Sequence, residues 1–276
     1  MNKDYRTDSE FHTNSPKYNP KLKYDKIKNI LNYAQYGISV SMNENGKGYP
    51  IYRMNEIHNM MCDLDVNKYA DITKSEFQRF KLNDRDVLFN RTNSFEWVGR
   101  TGIYRKSNDE GFTFASYLVR FVPIESIILP EYLSTFLNTK YGVNDIKRRA
   151  RQSINQTNVN PEEVKEIDIP ILSHVFQKQI KNCIDKAHNH RIISKNKYKQ
   201  SEILLLKTLG LKDFEPSKAP VNIKNFSESF GVSGRLDAEH YQIKYDYVEN
   251  SFNQFKRLRL GDIVNYPISS GITPKA

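Results

Sequence analysis

The chain has 276 residues, with 42 Lys and Arg against 32 Asp and Glu and a formal net charge of +10. That length suits one large domain or two small ones, and the positive surplus favours a polyanionic partner, nucleic acid first. The two cysteines, Cys62 and Cys183, exclude a disulfide framework and fit a reducing cytoplasm. No apolar run reaches the length of a membrane span, and the polar N-terminus has no signal region, so no membrane partner is expected. A lysine-rich composition would by itself raise the charge, so the pattern of residues has to carry the argument.

Residues 1 to about 25, with Pro16 and Pro20, read as an extended lead-in. From Ile27 to Ile51 short apolar pieces alternate with Gly37, Gly46 and Gly48, which is strand-and-turn chemistry. The loop Asn43 to Gly48 offers Lys47 to a phosphate, or is a plain surface turn. Asp86 to Arg91 predicts a strand that leads into the polar loop Thr92-Asn93-Ser94. Trp97 to Arg105 predicts the next strand, bent at glycine, and Phe112 to Phe121 a third. Arg91, Arg100 and Arg105 then cluster near one hairpin with Asn90 and Asn93. Arg and Asn pair bidentately with guanine and adenine edges, so this loop is a candidate base reader. Solvated arginines that touch only phosphates are the plainer alternative.

Pro130 to Lys140 predicts a short helix. The densest basic cluster follows: Lys147, Arg148, Arg149 and Arg151, then Gln152, Asn155 and Gln156. Basic side chains neutralise phosphates, and amides add hydrogen bonds to base or backbone. A solvated basic helix face would look the same. Pro161 opens a helical turn, and Ile167 to Leu172 is a last strand.

Ser173 to Leu211 has no proline, and no glycine before Gly210. Ser173 is a candidate N-cap and Gly210 a candidate C-cap. Phe176, Ile180, Cys183 and Ala187 form a helical stripe, continued by Tyr198, Leu205 and Leu209. Such a helix is roughly 55 Å long, which suits a spacer or coiled-coil arm that packs on a partner helix through this stripe. The alternative is a helix lying along one core. Beyond it, Pro216 and Pro220 mark a polar linker.

The two sides of this helix repeat one another. Arg6-Thr7-Asp8-Ser9-Glu10 recurs as Arg235-Leu236-Asp237-Ala238-Glu239, and Ile27 to Tyr33 as Leu260 to Tyr266. Gly37-Ile38-Ser39 recurs as Gly271-Ile272-Thr273, and the three offsets lie between 229 and 234 residues. Three pieces in order at nearly one offset predict a repeat of domain size. The second copy holds too few residues to bury the same core.

These features resemble the DNA specificity subunit of type I restriction-modification enzymes. The doubled Arg-x-Asp-x-Glu motif and the Gly-Ile-Ser and Gly-Ile-Thr turns carry the resemblance. So does Asp86-Val87-Leu88-Phe89-Asn90-Arg91, similar to the family's Gly-Asp-Ile-Leu-Phe-x-Arg strand, with Arg85 where glycine is usual. Gln152 to Asn158 followed by Ile167-Asp168-Ile169-Pro170 resembles the run into the family's helix. The resemblance implies an α/β (α+β) fold: a target recognition domain of mixed β-sheet and short helices over 1–172, then a long coiled-coil helix over 173–211. Residues 212–276 would be a linker and the incomplete start of a second recognition domain. It implies a non-catalytic, cytoplasmic reader of half of a split double-stranded DNA site, with methyltransferase and motor-nuclease subunits as partners and no cofactor. Because one recognition domain is present, a homodimer through the long helix is a further expectation.

Two other classes compete. Glu163-Val164-Lys165 matches the Glu-x-Lys of metal-dependent nucleases, without an evident partner carboxylate. A coiled-coil adaptor with no DNA role is the other. There is no Walker phosphate loop and no glycine-rich cofactor fingerprint. His188 and His190 diverge on a helix, so no metal is expected.

Overall fold

The computed structural model describes residues 11–12, 16, 18–106, 111–154, 156–215, 217 and 219–266. Asn155, the first Arg-x-Asp-x-Glu motif at 6–10 and the Gly-Ile-Thr turn at 271–273 lie outside the described residues. Contacts divide the chain into two compact units, Met1–Ile192 and Ile193–Ala276.

The first unit is built on Val87–Asn90, here β2, whose four residues are all buried. Val87 and Phe89 face one apolar cluster and Leu88 faces another. A strand covered on both sides needs an unbroken apolar run, which this one has. On one edge it pairs antiparallel with Leu118–Pro123 (β4), which in turn pairs with Leu31–Tyr36 (β1). On the other it pairs antiparallel with Thr101–Ile103 (β3). Beyond β3 the sheet runs on to Met61–Cys62, in parallel, and then to Ile57–His58, giving six strands of mixed direction. A four-stranded sheet orders Thr113–Phe114, Tyr49–Tyr52, Tyr69–Ala70 and Met42–Asn43. Tyr24–Lys26 pairs with Asp168–Pro170, tying the start of the described domain to its end.

Short helices flank the sheets, with Phe80 of the first packed on the second cluster and Leu133, Leu137 and Ile146 of the next two in the first. Thr73 caps Lys74–Phe80 (α1) in a reciprocal box with Glu76. Pro130–Asn138 (α2) begins on its proline, and Thr139 then caps Lys140–Arg149 (α3) by accepting from the Gly142 amide. Leu133, Leu137 and Ile146 are fully buried there.

The long helix, α4, runs from His174 to Thr208 without interruption, 35 residues or about 52 Å. Ser173 Oγ accepts from the Phe176 amide, and Gly210 at φ 71° closes the other end, where the Leu211 amide donates to Leu206 O. The phase of its buried stripe differs from the expectation. Gln177, Ile184 and His188 are the buried residues, with Ile180 packed between them. Phe176, Cys183 and Ala187 are exposed, as are Tyr198 and Leu205, and Leu209 is half-buried. The physical reason is polar. The Gln177 amide accepts from the Leu129 N–H at 2.7 Å and donates to the Leu172 and Ile127 carbonyls at 2.9 and 3.1 Å. A glutamine so satisfied is buried at little cost. The first contact unit includes this helix as far as Ile192.

Phe112 to Phe121 is not one strand. Its first part pairs in parallel with Ile51 and Tyr52, and the Leu118 amide closes a turn onto the Ala115 carbonyl.

The second unit has short helices at Phe230–Ser233, Ile243–Ser251 and Leu260–Ile263. None of its described residues is buried. Arg235 pairs with Asp237 at 2.7 Å, and Tyr241 Oη donates to the Arg235 carbonyl.

Candidate nucleic-acid interface

A tight hairpin, Arg151–Gln152 with Thr157–Asn158, meets the sequence-distant Thr92–Asn93 in one antiparallel ribbon, in that order. The Thr92 hydroxyl donates to Asn158 Oδ1 at 2.7 Å, and the Val159 amide donates to the Arg91 carbonyl. Arg151, Gln152 and Gln156 are exposed, and Ile154 at the tip is 98% exposed. Asn93 is half-buried, and its Oδ1 accepts from the Ser94 amide, starting the turn that carries the exposed Phe95 and Trp97. Arg151 reaches Glu163 at 2.8 Å while its side chain stays 59% exposed.

Arg91 stands where β2 passes into the ribbon. Its guanidinium carbon lies 5.3 Å from the centre of the Tyr36 ring. Its Nε is buried without a hydrogen-bond partner, a state that leaves a charged donor unsatisfied. Tyr36 and Tyr117 are both exposed, and the Arg91 amide donates to the Tyr117 carbonyl. The sequence reading missed these tyrosines. The available signal was the side-chain period of two, which places Tyr36 on the face of Ala34, opposite Phe121.

Other expected contacts already have partners within the protein. Asn90 is fully buried, and its Oδ1 accepts from the Thr92 amide. Arg105 does not face the hairpin surface; it lies 3.1 Å from Asp185 of α4 and 3.4 Å from the buried Glu131. Lys147 Nζ donates to the carbonyls of Phe95, Glu96 and Val98. Burial pushes its pKa down to about 8. Arg148 and Arg149 share the buried Asp145, and Arg148 also donates to the Phe11 carbonyl at 2.9 Å. Lys47 pairs with Asp71 at 2.6 Å, a contact that raises its pKa. Arg100 stacks on Trp97, with 3.4 Å from guanidinium carbon to ring centre, and burial lowers its pKa.

Thus the ribbon gathers Asn93, Arg151, Gln152 and Gln156 with Arg91 at its root. Arg100 and Lys147 flank the adjoining turn. Among the described residues no group of three or more His, Cys, Asp or Glu is placed to hold a metal. Glu163 is 5% exposed and bound to Arg151, and Lys165 pairs with Glu162, so the Glu-x-Lys triplet shows no open metal site. No described helix is long and apolar enough to cross a membrane.

The fold is a mixed α/β domain that presents a polar ribbon and passes directly into a long helix. No family model matches the chain. In sequence it is 28% identical over 165 residues to the type I restriction enzyme MjaX specificity subunit of Methanocaldococcus jannaschii, covering 59% of this chain and 39% of that protein. It is 28% identical over 140 residues to the type I restriction enzyme EcoKI specificity subunit of Escherichia coli strain K12, covering 50% and 30%. The chain is similar in sequence to these two type I specificity subunits, and it spans well under half the length of each. Among solved structures it is similar to the HsdS subunit from Thermoanaerobacter tengcongensis, with TM-score 0.40 and 13% identity over 65% of this chain and 40% of that one.

Proposed function

We propose that the chain is a DNA specificity subunit of a type I restriction-modification complex. Its recognition domain, residues 1–172, reads one half of a split double-stranded site. The observation that carries this reading is the ribbon, which collects arginine and amide side chains from two distant stretches of the chain along one edge. Phosphate contacts set affinity and register, while base-edge contacts set sequence. Arg151 and Gln152 suit the first role, and Arg91 and Asn93 the second. Arg91 supports it by its place, where the central strand passes into the ribbon beside the exposed Tyr36.

The helix over 173–211 acts as the spacer, and its exposed residues, Phe176, Cys183, Ala187, Tyr198 and Leu205, suit a partner helix. Residues 212–276 are a linker and the beginning of a second recognition domain. Methylation and cleavage belong to the methyltransferase and motor-nuclease subunits, which bind in the cytoplasm to this non-catalytic scaffold. A second copy packing through the helix would set two equal readers about a twofold axis.

Mapping methylated sites in cells that express the chain with its methyltransferase subunit tests this. A new, discrete methylated motif is expected, altered by Arg91→Ala. No new motif in the presence of an active methyltransferase would refute the reading.

A further inference from the structure

We propose that Lys147 is a positioning residue: it clamps the 94–98 turn beside the ribbon in its DNA-binding shape, without touching DNA itself. This rests on the ribbon's reading as the DNA-contacting edge. In sequence Lys147 opens a basic run that looks made for phosphates. In space it is spent. An ammonium has three donors, and Lys147 Nζ meets three carbonyls, those of Phe95, Glu96 at 3.2 Å and Val98 at 2.9 Å. The turn's own amides use other acceptors. Trp97 and Val98 donate to the Ser94 carbonyl, and Arg100 donates to that of Trp97. The carbonyls left over are the ones the ammonium takes.

A second contact from the adjacent residue of α3 holds the same turn. Gly99, at φ 88°, lies so close to Ile146 that an added Cβ would sit 2.5 Å from Ile146 Cγ2. Ile146 and Lys147 therefore grip the turn at two points. At its start the turn is continuous with Asn93 of the ribbon, and it carries Trp97 with Arg100 stacked on it. Held at both ends, the turn cannot shift without moving the ribbon's edge.

The grip has a pH limit. Burial first, opposed by the Glu96 carboxylate and joined by the Arg100 charge, brings the pKa of Lys147 down to about 8. The charges of its own helix, Asp145, Arg148 and Arg149, are bound to one another, and at one or two residues' spacing they do not face Lys147. The Phe95 ring lies 4.9 Å from Nζ and favours the cation. Above that pH an amine offers two donors to three acceptors, and the turn loosens.

Trp97 is the only tryptophan in the chain, so its fluorescence reports this turn alone. The test uses the full chain, wild type and Lys147→Met. Acrylamide quenching of Trp97 and the salt dependence of binding to the duplex found by methylation mapping are measured together. In Lys147→Met, quenching should rise and affinity should fall about tenfold, with the salt slope unchanged. In the wild type, titration should show a quenching transition centred near the alkaline value given above, absent from the variant.

A salt slope reduced by about 1 with unchanged quenching would make Lys147 a phosphate contact and overturn the proposal. So would a wild-type quenching profile flat through that pH range, a result that needs no variant to fold. If quenching responds but DNA affinity does not, the clamp is real and the ribbon is not the DNA edge. That outcome overturns the DNA role assigned to both.

Discussion

Arg85 occupies a backbone conformation that favours glycine, at φ 72°, and it stands where the resembling strand motif carries glycine. For a residue with a Cβ this costs roughly 1–2 kcal/mol. The guanidinium supplies the compensation. It binds both oxygens of Glu131, at 2.7 and 2.8 Å, and Glu125 at 2.7 Å. The Glu131 side chain is fully buried and that of Arg85 is 20% exposed. These hydrogen bonds, led by the one to Glu131, hold the Arg85 pKa above its ordinary value. Removing one partner of a buried pair typically costs about 3–5 kcal/mol. Arg105, still 3.4 Å from Glu131, places this case near the lower end. Arg85→Gly should therefore relieve the backbone and still destabilise the domain by about 2 kcal/mol. For a unit of this size that is a fall in Tm of roughly 4–8 °C. Thermal unfolding followed by circular dichroism measures it. Arg85→Gly with Glu131→Gln should recover most of the loss, since the only carboxylate then left without Arg85 is Glu125, 54% exposed to water. An unchanged or raised Tm in Arg85→Gly would refute the argument that the ion pair outweighs the strain.

His188, buried between α4 and the domain, has its pKa lowered by burial and by the Arg105 and Arg191 charges. The unfolded chain then binds more protons, so stability present above pH ~6.5 is lost as pH falls through that value, and His188→Gln should flatten this limb of the Tm profile. On the ribbon, Arg151→Ala should weaken binding to every duplex and reduce the salt slope by about 1. Arg91→Ala should instead change sequence preference at about 1–3 kcal/mol per lost bidentate pair, measured by competition between related duplexes.

The central strand was legible because an apolar run between polar loops has few other uses. The long helix was legible through its caps and its lack of breakers. Its orientation was not, because apolar periodicity assigns Gln177 and His188 to solvent. The burial of Gln177 depends on a carbonyl and an amide contributed by the distant Ile127 and Leu129. The break inside Phe112 to Phe121 was hidden for a related reason. It is set by the Tyr52 carbonyl, which accepts from the Ala115 amide, and by the Ile38 carbonyl, which accepts from Ser116. The basic run shows the limit most clearly. Lys147, Arg148 and Arg151 look equivalent in sequence, yet one clamps a turn, one binds Asp145 and one stays 59% exposed. Charge patterning finds such a cluster but cannot say which members face outward.

The repeat separates what a sequence does locally from what it does only in company. Ile27–Ile30 and the corresponding Leu260–Ile263 both form a single helical turn. In the first copy Ile27 and Ile30 are fully buried, whereas in the second Leu260 and Ile263 are 62% and 59% exposed. The turn therefore does not need the core. The strand that follows does. Leu31–Tyr36 is a strand because Leu118–Pro123 pairs with it along nearly its whole length. Among the described residues of the second unit there is no strand, and its Val264, Asn265 and Tyr266 remain unpaired with any. Backbone donors and acceptors of a lone extended segment gain nothing over water until a neighbour arrives.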